Sequence, residues 1–183
     1  MKKLIRIFFM AAIAASLSSP ILASGKSYVA GAPKIADIED SDREAEAWAM
    51  CAASYDLMAW MLDETNPAKA KQLTERANGA ELAVTISMVT SELDEDTTPE
   101  KFKRLWEFSK LIGNALPTTM NTSLLADLES DDSEGKDVFI ESLSKTVAVC
   151  IDNLAGQQMY IDIWRSLAKS GMLKSPLRIP AAI

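Results

Sequence analysis

From residue 41 onward, apolar side chains recur every three or four positions, and no stretch alternates with a period of two. That spacing is the mark of helices with a buried face and argues against a sheet. In "SDREAEAWAMCAASYDLMAWML", Trp48, Cys51, Ala52, Tyr55, Met58, Ala59 and Leu62 share one face. Ser41 and Glu44 stand at capping-box spacing at its start. Asn66-Pro67 reads as the cap and first turn of a second helix that runs towards Leu93. Its inner stripe is Ala70, Leu73, Ala77, Ala80, Val84, Ser87 and Met88, mostly small side chains that let a neighbour approach closely. The stripe continues through Asn78-Gly79, so one unbroken helix is expected there. Thr98-Pro99 opens a third helix carrying Phe102, Leu105, Trp106, Ser109, Ile112 and Leu116. Pro117 should end or kink it, with "TSLLADL" adding a short helix. The last helix is expected over 136–170, with Phe139, Leu143, Val147, Cys150, Leu154, Ile161, Trp164 and Ala168 as its stripe and Gly171 at C′.

These elements predict an all-α, single-domain bundle of four main helices plus a short extra one, spanning 41–171. A flexible lead-in (24–40) precedes it and an extended, proline-punctuated tail (172–183) follows. Residues 1–23 have the layout of a secretory signal peptide: Lys2, Lys3 and Arg6, an apolar run from Ile7 to Leu17, Pro20, and small Ala23. The apolar run is far below the ~20 residues needed to span a bilayer, so no stable membrane anchor is expected after cleavage.

Export changes how the two cysteines are read. In an oxidising compartment, Cys51 and Cys150 are expected to pair. Both fall on core-facing stripes near the middle of the first and last helices, which lie side by side and antiparallel in an up-down-up-down bundle. The bond would close the bundle. Nothing in the chain resembles C-x-x-C, which argues against a redox role.

Charge narrows the partners. The full chain carries −7, and removing three positive charges with the signal lowers it to −10. Such an acidic surface is ill suited to nucleic acid. It favours solubility and leans weakly towards basic partners.

The chain has no histidine, which excludes Ser-His-Asp and Cys-His sites, His-ligated haem or zinc, and the Glu-x-x-His di-iron pattern. No cofactor is expected. One weak calcium candidate remains: "SDDSEGKDVFIE" fits a twelve-residue EF-hand loop with Gly135 at position six, giving Asp132, Glu134 and Glu141 as ligands. Ser130 replaces the first Asp ligand, and the acids equally suit a helix N-terminus, so no metal site is assigned. Glu44, Glu46, Asp56 and Asp63 mostly lie off the first helix's core stripe, and no carboxylate pair is forced to face another as a glycosidase requires.

Two features point towards binding. Met50, Leu57, Trp60 and Met61 make a second apolar face on the back of the first helix. A helix apolar on two sides is either central in its fold or covered by something else: the tail, a second copy, or another protein. Gln157 sits on the inner stripe of the last helix, where its amide needs a partner such as Ser87, Ser109 or Tyr55. Alternatively it orients a small ligand, helped by Gly113 and Gly156. The expectation is therefore a non-enzymatic periplasmic or secreted protein. It would act by binding another protein, as an inhibitor, immunity, adaptor or chaperone-like factor, or by self-association. A carrier of a small apolar ligand is the alternative, and a carboxylate-dependent hydrolase the third reading.

Overall fold

The computed structural model describes residues 34–130 and 133–173, and the statements that follow concern these. Five helices follow a short 3-10 turn, Ile35–Asp37: α1 (Ser41–Leu62), α2 (Pro67–Ser91), α3 (Pro99–Ser130), α4 (Ser133–Asp152) and α5 (Leu154–Lys169). No strand occurs among the described residues. The signal-like segment, residues 24–33 of the lead-in and the tail beyond Leu173 lie outside them.

α1 and α2 form an antiparallel hairpin at the centre. α3 packs across both, α4 packs on α1, and α5 packs on α2. The reason is side-chain size. Ala45, Ala47, Ala49, Ala52 and Ala53 of α1, with Ala70, Ala77, Ala80 and Ala83 of α2, are all buried. Small residues bring the two backbones together, leaving larger groups such as Trp48, Tyr55, Leu73 and Ile86 to fill the space beside them. The two-sided apolar pattern of α1 follows from this central position.

The expected cap chemistry of α2 and α3 is present. Asn66 Oδ1 accepts from the Lys69 N–H at 3.1 Å with Pro67 at the first helical position, and Thr98 Oγ1 accepts from the Lys101 N–H at 3.2 Å. α2 runs unbroken through Asn78-Gly79, and Gly171 ends α5 at φ 77°.

Four boundaries differ from the sequence expectation. α1 is capped by Asp40, whose Oδ1 accepts from the Asp42 and Arg43 N–H groups, both at 3.1 Å. Ser41 is already helical, and Glu44 is not part of a capping box. Pro117 does not end α3: the proline is buried inside a continuous helix. The residue four before it is Gly113, and Thr118, Thr119 and Thr122 hydroxyls donate back to carbonyls at 2.8–2.9 Å.

The single long last helix is instead two, broken at Asn153. That side chain donates through Nδ2 to the Val149 carbonyl, and its Oδ1 accepts from the Ile35 N–H, both at 2.9 Å. The second bond also corrects the lead-in: Ile35 is wholly buried and docked beside the α4–α5 junction. The extra helix of the bundle thus arises at Asn153, not after Pro117.

Cys51 and Cys150 are joined by a disulfide, with Cα atoms 5.6 Å apart. Both are buried, and the bond fastens α4 to α1 across a sequence separation of 99 residues. A loop of this length corresponds to ~4.7 kcal/mol in the chain-entropy picture. No described helix is long and apolar enough to cross a membrane.

Candidate functional site

Two buried polar seams and the outer face of α5 come first among the described residues. The first seam joins α1 to α5. Glu44 is 7% exposed, and its Oε1 accepts from Trp48 Nε1–H at 3.1 Å and from the Tyr160 hydroxyl. The two rings meet edge to face, with centroids 6.1 Å apart. Burial first, and then the hydrogen bond to and charge of Glu44, push the Tyr160 phenol well up. A buried carboxylate holding two neutral donors ties α5 to α1. The expectation that Glu44 lies off the core is corrected here. The signal was legible, because Glu44 falls four residues before Trp48 on the same helical stripe.

The second seam joins α2 to α5. Gln157 is fully buried, and its Nε2 donates to the Arg76 carbonyl at 2.8 Å. None of Ser87, Ser109 or Tyr55 is the partner of that nitrogen: Ser87 donates to the Val84 carbonyl, and the Tyr55 hydroxyl and Gln157 Oε1 have no hydrogen-bond partner among the described residues. A Cβ on Gly79 would lie 2.1 Å from Gln157 Nε2, so glycine is what lets the amide reach the α2 backbone. Burial pushes the Tyr55 phenol up, partly offset by the positive charge of Arg76.

The glycines once grouped with Gln157 serve elsewhere. Gly113 lets α3 approach Thr85 and the Glu81 carbonyl, and Gly156 lies against Ala36 and Trp48.

The four residues expected to form a partner-binding face are not exposed together. Met50 (5%) and Leu57 (1%) are buried inside the bundle, Met61 is half-buried, and Trp60 alone is widely exposed. Helix pattern placed all four on the back of α1, but α3 and α4 pack on α1 in addition to α2, and a single helix cannot reveal how many neighbours it has.

An exposed apolar stripe that lines a groove lies on α5. Ala155, Met159, Ile163 and Leu167 follow one another at helical spacing, and with Met172 they line an open groove of about 790 Å³. Met159 and Met172 are 45% and 48% exposed. The rim is polar: Asp162 accepts from Gln158 at 2.9 Å and pairs with Arg165 at 3.0 Å. Periodicity alone could not single this stripe out, because it runs parallel to the inner stripe of Gln157, Ile161 and Trp164.

Of the calcium candidates, Asp132 lies outside the described residues and the Glu134 side chain is not described. Glu141 is exposed and pairs with Lys145 at 2.6 Å. Among the described residues, no group of three or more acidic, Cys or His side chains is placed to hold a metal. Glu81 is half-buried, and burial first, then the Asp56 carboxylate, push it up to about 7. Burial also raises Asp56.

The fold and its covalent link define the class: an all-α, five-helix domain with α4 stapled to α1. No protein family, curated protein or solved structure matches the chain.

Proposed function

We propose that this is an exported, non-enzymatic protein that acts by binding another protein through the outer face of α5. The observation that carries the reading is the groove lined by Met159, Ile163, Leu167 and Met172. An apolar floor with a polar rim is the anatomy of a protein interface, and exposed methionines re-pack around different apolar partners. The partner chemistry that fits is an amphipathic helix laying apolar side chains at three- and four-residue spacing along α5. The disulfide and the signal-like N-terminus support a periplasmic or secreted setting. The same groove would serve the alternative role, carriage of a small apolar molecule.

The test places a photo-crosslinking residue at Met159 and, as a control, at exposed Lys103 on α3, in cells that export the protein. A discrete protein adduct from position 159, absent from 103 and lost with Leu167→Glu, supports the reading. An adduct of twice the chain mass identifies the occupant as a second copy. No adduct, together with a co-purified small molecule in native mass spectrometry, replaces it with the carrier role.

A further inference from the structure

A separate crevice lies where α1 turns into α2, on elements that do not contribute to the α5 groove. Asp56, Trp60 and Asp63 follow each other at three- and four-residue steps on α1, and Lys71 faces them from α2 across a floor of Ala59 and Ala70. The space between is about 320 Å³, the size of one long side chain or a small molecule.

Four observations bear on what it would take. Trp60 is 66% exposed at the rim, whereas Trp48, Trp106 and Trp164 are at most 7% exposed. An indole held out in water beside a polar crevice offers a π face to a cation. Neither Asp56 nor Asp63 forms an ion pair with a described residue, so two carboxylates meet one lysine and the crevice carries a net negative charge. The C-terminal end of α1 and the N-terminal end of α2 meet beside it, and their opposite dipoles largely offset. The side chains therefore decide the sign. The chain as a whole carries −7, which draws cations towards the surface.

We infer that this crevice binds an alkylammonium group, with the ammonium at the Asp56 carboxylate and the alkyl stem against the Trp60 ring. Burial raises the Asp56 carboxyl and so disfavours its charge in the unliganded protein. A bound cation reverses that cost, so binding and stability should respond to Asp56 in opposite directions.

The test uses the disulfide-intact protein and the fluorescence of its exposed indole, with calorimetry as the second readout. Probes are 1,5-diaminopentane, the capped lysine N-acetyl-lysine methylamide, and neutral 1-pentanol. Saturable binding of both amines but not the alcohol is expected, weakened about tenfold by Trp60→Leu or Asp56→Asn and tightened by Lys71→Gln. Asp56→Asn should at the same time raise the melting temperature, which a folding defect would not do. Tighter binding of the diamine identifies a free polyamine as the source, and tighter binding of the capped lysine identifies a partner's side chain. Equal binding of pentanol, weakened binding in Lys71→Gln, or no saturable binding of either amine overturns the inference.

Discussion

The α1–α2 hairpin and the α4–α5 arm are held by different means. Along α1, residues from Glu44 to Leu57 are buried almost without interruption, and α2 is buried from Gly79 to Ser87 apart from Glu81. α4 buries only Leu143, Thr146, Val147 and Cys150 among its described side chains, with Val138 and Ile140 exposed. The middle of the hairpin is secured by close-packed small residues. The arm has one narrow stripe per helix, and its attachment depends on a few specific links: the disulfide, the Glu44–Tyr160 lock, Gln157 on the α2 backbone, and Asn153 on Ile35.

The largest effect should come from cutting the staple. Cys51→Ser with Cys150→Ser should cost about 2–5 kcal/mol, read as a lower denaturation midpoint. Hydrogen exchange should lose protection over 143–152 first, while the hairpin keeps its own. Uniform loss across all helices would show that the arm and hairpin are one cooperative unit.

The α2–α5 contact predicts a reversal of sign. Gly79→Ala gains about 1 kcal/mol of helix propensity but pushes Gln157 off the Arg76 carbonyl, leaving a buried amide that costs about 1–3 kcal/mol. The single variant should therefore be destabilised by about 1 kcal/mol. In a Gln157→Ala background, the same Gly79→Ala change should stabilise. Equal effects in both backgrounds would mean the amide is not what Gly79 makes room for.

Glu81 probes the hairpin's own weak point. Its carboxyl is raised from 4.5 to about 7 in the folded chain, so the native state binds the proton more tightly than the unfolded state. Its contribution is fully present below about 4.5 and is lost as pH climbs to about 7. Glu81→Gln should flatten that slope and raise stability at neutral pH by about 1–2 kcal/mol, reduced from the full shift because the group is partly solvated. A parallel pH profile in the variant would assign the slope to other carboxyls.

The smallest effect belongs to the arm's surface. The Glu141–Lys145 pair is exposed at the edge of α4, and Glu141→Gln should leave the melting temperature unchanged, with or without added calcium. A calcium-dependent rise lost in Glu141→Gln would restore the metal reading.

Much of the architecture was legible because helices announce themselves through local chemistry. Asn66-Pro67, Thr98-Pro99 and Gly171 each mark a boundary by side-chain bonds or backbone freedom confined to a few residues. The exceptions have local form but distant causes. Asn153 breaks a helix because it can reach Ile35, more than a hundred positions away in sequence. Pro117 lies buried inside one continuous helix, and the residues next to it in sequence do not announce that outcome. Met50 and Leu57 were readable as apolar, but not as core, because the covering helices α3 and α4 come later in the chain.

The sequence by itself determined the helical class, most caps and the two cysteines that meet, since each depends on a residue's own helical face and near neighbours. The tertiary structure alone decided which faces stayed open, placing the exposed apolar stripe on α5 and not on the back of α1. Exposure is a property of what packs opposite a side chain, and no short-range pattern contains it.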